Sequence, residues 1–253
     1  MASPPPTLVV WDFDWSLVNE NSDTFVIHQL DPSGKIWAEA RKLRKEQGVQ
    51  WTQLMDWAVG ALQDAGHSVE AMRTAQSRIP VLRGALEAVR LSAAAGAEQR
   101  VLSDANELYI NWILEAIGIA PSFSAVETNG ASVDATGRLR VSPHQPTTQP
   151  HGCPLCPANL CKGAVIERWL ASFETRPRVI YVGDGGGDFC AVTKLAADDV
   201  LLARQAPHDR LLAKVKQPPE GYAVAAKVFE WSEADDGAAL AAGFAAALPK
   251  PQP

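Results

Sequence analysis

A chain of 253 residues that is 47% apolar is long enough for one α/β domain plus a modest insertion, and its composition is that of an ordinary soluble globular protein. A net charge of -6 without any Lys/Arg block argues against a nucleic-acid surface. No window has the apolar length of a membrane span, and only Ala2–Pro6 precede the first apolar run, too short for a signal or transit peptide. A cytoplasmic protein is therefore expected, with its four cysteines as free thiols or metal ligands rather than disulfides.

Leu8, Val9 and Val10 show no polar alternation and read as a buried strand. The strand runs into Asp12 and Asp14, one residue apart, at the end where open parallel sheets place their ligands. Two carboxylates at that spacing repel, and a Mg²⁺ ion is the simplest group to hold them together.

A polar turn follows, in which Ser22 or Asp23 is placed to cap a helix starting near Thr24. The pattern stays helical to about Arg78. Trp51, Leu54, Met55, Ala58 and Leu62 share one face, and Asp31–Gly34 and Gly66–Ser68 break the run. This reads as a helical cap over residues 22–78, inserted into a core made of 1–21 and 79–253. Trp11, Trp15, Trp37, Trp51 and Trp57 crowd this part of the chain. Trp51 is read as cap core. Trp15, beside the aspartates, is read as an aromatic face for a cationic group.

A helix is expected from Pro80 to about Ala95, then a strand over Arg100–Asn106 that ends in Ser103 and Asp104. Glu107–Ile117 reads as helix, 124–128 and 139–141 as short strands, and 144–157 as a Pro-, His- and Cys-rich loop. Lys162 opens a helix to Phe173. A strand over Arg178–Val182 leads directly into Gly183-Asp184-Gly185-Gly186-Gly187-Asp188. Val200–Leu202 is a last strand, Glu233–Leu248 a closing helix, and the Pro-rich tail beyond it is expected to be disordered. Strands alternating with helices predict a parallel sheet covered on both faces.

Three strands thus end in polar chemistry, and a lysine opens the helix before the third. That set suits phosphoryl transfer. A carboxylate can attack phosphorus, a second can move the proton, and a hydroxyl and an ammonium can stabilise the transferring oxygens. Separately, His151, Cys153, Cys156 and Cys161 have the ligand types and knuckle spacing of a structural zinc site. The alternative is reduced thiols that shape the loop before Lys162. Asp23 and Asp104 likewise carry two readings, substrate contact or helix cap.

Asp12-Phe13-Asp14-Trp15-Ser16 resembles the opening motif of haloacid dehalogenase-like (HAD) phosphatases, with Ser103, Lys162 and Gly183-Asp184-Gly185-x-x-Asp188 as the second, third and fourth motifs in order. The resemblance implies a three-layer, Rossmann-like sheet with a helical cap inserted after the first strand. More narrowly, the stretches Asp14–Asp23, Leu102–Asn106, Cys153–Gly163 and Gly183–Cys190 resemble the phosphoethanolamine/phosphocholine phosphatase family. By that resemblance Asp12 is the nucleophile and Asp14 the general acid/base. Mg²⁺ is held by Asp12, the Asp14 backbone carbonyl and Asp184, with Asp188 supporting. Ser103 and Lys162 bind phosphate, and Asp23 and Asp104 face an amine. The substrate implied is a small phosphorylated metabolite. Trp15 and Gly186-Gly187 depart from the usual residues beside the site, which bears on substrate preference. The alternative substrates are pyrophosphate, pyridoxal phosphate and thiamine monophosphate. A catalytically silent binding protein is opposed by the intact Asp12, Asp14, Lys162 and Asp184.

Overall fold

In the strand Thr7–Trp11 (β1) every residue is buried, because alternate side chains enter two different cores. Leu8 and Val10 join one apolar cluster, Val9 and Trp11 the other. The computed structural model describes residues 5–249. The tail expected beyond Leu248 therefore lies, apart from Pro249, outside the described residues.

After β1 come four helices, α1 (Ser22–Leu30), α2 (Lys35–Gln47), α3 (Trp51–Asp64) and α4 (Val69–Gln76). The chain continues through α5 (Arg83–Ala94), β2 (Glu98–Asn106), α6 (Glu107–Ala116), β3 (Ala125–Val133) and β4 (Leu139–Ser142). It ends with α7 (Lys162–Ala171), β5 (Arg178–Gly183), α8 (Phe189–Val192), β6 (Val200–Arg204), α9 (Arg210–Lys216), β7 (Lys227–Trp231) and α10 (Ala238–Ala247). The sheet order is β4-β3-β2-β1-β5-β6-β7. Every pairing is parallel except the β3–β4 hairpin. Side chains of α5, α6 and α10 fill the core on the Val9 face, and those of α7, α8 and α9 fill the Leu8 face. The expected three-layer parallel sheet is present.

Helices α1–α4 bury a third cluster built on Val26, Ile27, Leu54, Ala58, Leu62 and Met72. That cluster does not close on itself. Tyr109 of α6 and Leu139 and Val141 of β4 complete it. Among the described residues, no helix is long and apolar enough to cross a membrane.

Several local expectations change. The cap of α1 is Asn21, whose Oδ1 accepts the Thr24 N–H at 2.9 Å, and not Ser22 or Asp23. At α6 the cap is Asn106, accepting the Tyr109 N–H at 3.1 Å, and not Asp104. Asparagine ranks among the best N-caps, and its use here frees both aspartates. Helix α5 starts at Arg83 rather than Pro80, and α10 at Ala238 rather than Glu233. Strand β7 and helices α8 and α9 were not expected. They are short, and four of the five β7 residues are exposed at the sheet edge.

Helix α5 meets the start of α10 backbone to backbone, since a Cβ on Gly84 would lie 1.8 Å from the Gly237 carbonyl oxygen. Gly84→Ala should therefore cost about 1–3 kcal/mol through overpacking. Each kcal/mol corresponds to roughly 2–4 °C of Tm at this chain length. Thermal unfolding checks this, and an unchanged Tm would mean that the contact is loose.

Candidate active site

The chain leaves β1 to build β2 and β3 on one side, then returns to add β5 and β6 on the other. The C-terminal end of β1 is thus a topological switch point, where such sheets open a crevice. Asp12 stands there, its N–H donating to the Val182 carbonyl at 2.9 Å. Lys162, the first residue of α7, reaches in from the side. Its Nζ donates to Asp12 Oδ1 and to Asp188 Oδ1, each at 2.7 Å, and the side chain is 3% exposed. Asp188 Oδ1 also accepts from the Tyr181 hydroxyl at 2.7 Å, and its Oδ2 from the Gly185 N–H at 3.0 Å. Gly183 has to be glycine for this arrangement, because a Cβ there would sit 2.8 Å from Asp188 Oδ2.

Asp12, Asp184 and Asp188 each bring a carboxylate oxygen within 4.8 Å of the others. One ammonium faces three carboxylates. Burial, then the charges of Asp12 and Asp188, push the Asp184 carboxyl up to about 9. Burial and Asp188 raise Asp12 to about 6, even with Lys162 opposing. A cluster of hard oxygens in mutual repulsion fits a small divalent cation such as Mg²⁺.

Asp14 is not part of that cluster. Its Oδ1 accepts the Ser22 N–H at 2.9 Å and its Oδ2 the Asn21 Nδ2 at 3.1 Å. Burial, then the nearby Asp23, hold its carboxyl well above the ordinary range. Any contribution of this residue to the metal would fall to its backbone carbonyl.

Ser103 sits where β2 leaves its ladder, since pairing with β3 breaks after Leu102 and resumes at Asn106. Its Oγ accepts the Ala105 N–H at 3.0 Å, which leaves the hydroxyl proton free for a ligand. Asp104 accepts from Asn159 Nδ2 at 3.0 Å. Burial raises its carboxyl against Lys162 and Asn159. Asp23 comes from α1 and is held from both sides, by the Trp51 Nε1–H at 2.8 Å and Asn106 Nδ2 at 3.3 Å. Burial pushes it to about 6 despite those bonds. All of these groups line one cavity of about 170 Å³, below the roughly 300–1,000 Å³ usual for drug-sized ligands.

The tryptophans exchange roles. Trp15 lines the cavity, but its indole stacks on His208 at 3.7 Å and lies 5.6 Å from the Arg204 guanidinium. Its ring is therefore engaged by protein groups rather than offered to a ligand cation. Trp15 also holds φ at 58°, unusual for a bulky residue, while Arg204 binds its carbonyl at 2.7 Å. Trp51 packs on the helical core as expected, but it also reaches the cavity wall through its bond to Asp23.

Residues 7–241 match the model of the family described as "Putative Phosphatase". The chain belongs to that family. It is 34% identical over 233 residues to a thiamine phosphate phosphatase-like protein of Arabidopsis thaliana, covering 90% of this chain and 91% of the relative. It is 34% identical over 240 residues to inorganic pyrophosphatase 2 of Arabidopsis thaliana, covering 93% and 82%. It is 35% identical over 234 residues to pyridoxal phosphate phosphatase PHOSPHO2 of Rattus norvegicus, covering 89% and 92%. Its fold is similar to that of a substrate-bound phosphoserine phosphatase, with a TM-score of 0.57 at 18% identity, covering 85% of this chain and 92% of the other. The chain is thus a phosphatase by family, with the fold of HAD phosphatases.

In this phosphatase the cysteine loop departs from the expected ligand set. His151 uses both ring nitrogens inside the loop. Its Nδ1 accepts the Cys153 N–H at 3.0 Å, and its Nε2 donates to the Pro157 carbonyl at 2.9 Å. The residue that joins Cys153, Cys156 and Cys161 is Cys190 of α8. Sequence spacing missed it because the partner is distant in the chain, although it lies only two residues beyond Asp188. Asn21, Asn159 and Arg204 were missed as well. Asn159 and Arg204 are long-range partners of motif residues with no local pattern of their own, whereas Asn21 bonds Asp14 seven residues away.

The raised carboxyls make a prediction with a definite sign. Asp12 and Asp184 bind their protons more tightly in the folded chain than at the ordinary 3.8 of the unfolded one. Their contribution thus favours the fold at low pH and is lost as pH rises through about 6 for Asp12 and about 9 for Asp184. In chelator, Tm should fall across that window, and Mg²⁺ should restore it most at the alkaline end. A Tm that is equally flat with and without Mg²⁺ would remove the cation from this cluster.

Proposed function

We propose that this enzyme hydrolyses a small phosphomonoester whose leaving group is cationic, phosphoethanolamine or phosphocholine first, through an aspartyl-phosphate on Asp12. The observation that carries the reading is the pair Asp23 and Asp104. Both are carboxylates in the wall of one small cavity, close enough for the charge of Asp104 to raise Asp23. Neither is a helix cap. Asp23 offers a carboxylate to an ammonium group, and Trp51, whose Nε1–H bonds that carboxylate at 2.8 Å, lines the same cavity. Pyrophosphate, with its extra negative charge, is disfavoured by the same pair. Thiamine monophosphate also has a cationic leaving group, and a relative at 34% identity is named a thiamine phosphate phosphatase-like protein, so it is the second reading. The four unbridged thiols support a reducing compartment, the cytoplasm.

Asp12 attacks phosphorus through a carboxylate oxygen, and the bond from phosphorus to the leaving oxygen breaks. Protonated Asp14 donates its proton to that leaving oxygen, which makes the departing alcohol neutral there. Water then attacks the aspartyl-phosphate, Asp14 takes the water's proton, and phosphate leaves with Asp12 regenerated. Lys162 and Ser103 hold the transferring oxygens. Asp12, Asp184, Asp188 and the Asp14 backbone carbonyl would hold Mg²⁺, which when bound supplies neutralising charge for the carboxylates and phosphate. Residues 22–78 act as the cap over this chemistry, and the rest of the chain as the core.

Asp12→Asn should abolish turnover and leave the fold intact, because an amide does not attack phosphorus. Near-wild-type phosphate release by folded Asp12→Asn would sink the mechanism. Asp23→Asn removes a charge-assisted contact worth on the order of 1.5–3 kcal/mol, so kcat/KM for phosphoethanolamine should fall roughly ten- to a hundredfold. Hydrolysis of p-nitrophenyl phosphate should barely change. Equal losses on both esters would make Asp23 a structural residue and leave the cationic-substrate reading without support.

A further inference from the structure

Between β4 and α7, residues 143–161 contain no helix or strand. So long an irregular stretch inside a folded domain needs something to hold it. Its last part leads directly into Lys162, whose ammonium must meet Asp12 and Asp188 inside a buried site. Asn159 ties the loop near its end to Gln50, Asp104 and Asn129, while His151 in the cysteine-bearing turn before it bonds only within the loop. His151 closes a small ring from Cys153 to Pro157, and Leu155 packs against the core beneath the sheet.

What gathers there is sulfur. The Sγ atoms of Cys153, Cys156, Cys161 and Cys190 all lie within 4.8 Å of one another. Cys190 Sγ is 3.5 Å from that of Cys153 and 3.9 Å from that of Cys161. These separations are far beyond an S–S bond of about 2.05 Å, and the four cysteines are unbridged. A tetrahedral ion with Zn–S bonds of about 2.3 Å requires S···S edges of about 3.8 Å. The observed contacts match such an edge. Gly163 makes room for the convergence, since a Cβ at that position would lie 2.4 Å from Cys190 Sγ.

We propose that Cys153, Cys156, Cys161 and Cys190 bind one structural Zn²⁺ ion, which clips the loop before Lys162 to α8 behind Asp188. Four thiolates with no open position form the closed donor set of a structural zinc site, and soft sulfur does not serve Mg²⁺. Histidine 151 is a framing residue of the loop and not a ligand. The clip acts at two points on the site frame. Cys161 immediately precedes Lys162, and Cys190 follows Asp188 by two residues, so the ion fixes the two ends of the Lys162–Asp188 contact from outside the substrate cavity.

The test does not depend on turnover, so its outcome is separate from that of the substrate reading. Full-length protein, purified under reducing conditions without chelator, should contain about one zinc per chain by elemental analysis, as a closed four-ligand site requires. A mercurial thiol reagent should release that zinc stoichiometrically to a colorimetric indicator. Cys190→Ser should lose most of the zinc and lower Tm, whereas His151→Ala should keep it. If Cys190→Ser does not fold, the wild-type zinc content and mercurial release, with His151→Ala, still decide. Folded wild-type protein without zinc, whose four thiols all react at once, would overturn the proposal. So would iron in place of zinc, or a loss of zinc in His151→Ala equal to that in Cys190→Ser.

Discussion

One ammonium group holds the site together. Lys162 Nζ bonds to both Asp12 and Asp188, and so ties the end of β1, the start of α7 and the loop after β5 to a single point. Two buried carboxylates would otherwise face each other with a third nearby. Taking away one member of such a buried pair typically costs about 3–5 kcal/mol, because the remaining charge is left without a partner. The surrounding structure secures this point from behind. Tyr181 and the Gly185 N–H satisfy the rest of Asp188, and Gly183 omits the side chain that would displace it.

A second buried cation supports the turn that carries Asp14. Arg204, at the end of β6, binds the Trp15 carbonyl, Asn19 Oδ1 at 2.6 Å and Glu233. It lies 5.1 Å from the Trp231 ring and 5.6 Å from that of Trp15. The left-handed backbone of Trp15 is thus fixed by partners on three other segments, and that turn sets where Asp14 points. Asp12 and Asp14 are two residues apart in sequence, yet Asp12 is paired with Lys162 while the turn that carries Asp14 is braced by Arg204. This separation leaves Asp12 paired with an ammonium while burial and Asp23 raise the carboxyl of Asp14.

Much of this was legible in the sequence for a simple reason. The motif residues sit where regular strands end, so a run such as Leu8–Val10 followed by Asp12 announces both the strand and the site. Lys162 was legible only through its order among the other motifs. What was not legible depended on partners far away in the chain. Ser22 and Asp23 are the expected caps of α1, yet Asn21 takes that place while Asp23 turns to Trp51, far along the chain. Cys190 completes the sulfur cluster from α8, packed beside α7 on the same face of the sheet, a pairing that no local spacing encodes. Strand β7 hides because an exposed edge strand lacks the apolar alternation by which strands are recognised.

The way the helical core is closed bears on how substrate enters. Tyr109 from α6 and Leu139 and Val141 from β4 plug into the core of α1–α4, and Gln50 at the head of α3 bonds to Asn159 beside the site at 3.2 Å. The helices are thus moored to the sheet on several sides, not only through the two chain crossings that join them to it. Swinging them away as a rigid door would strip apolar side chains from a shared core. Opening by a rigid swing of α1–α4 would therefore cost buried apolar contacts that a small local movement at the rim would keep.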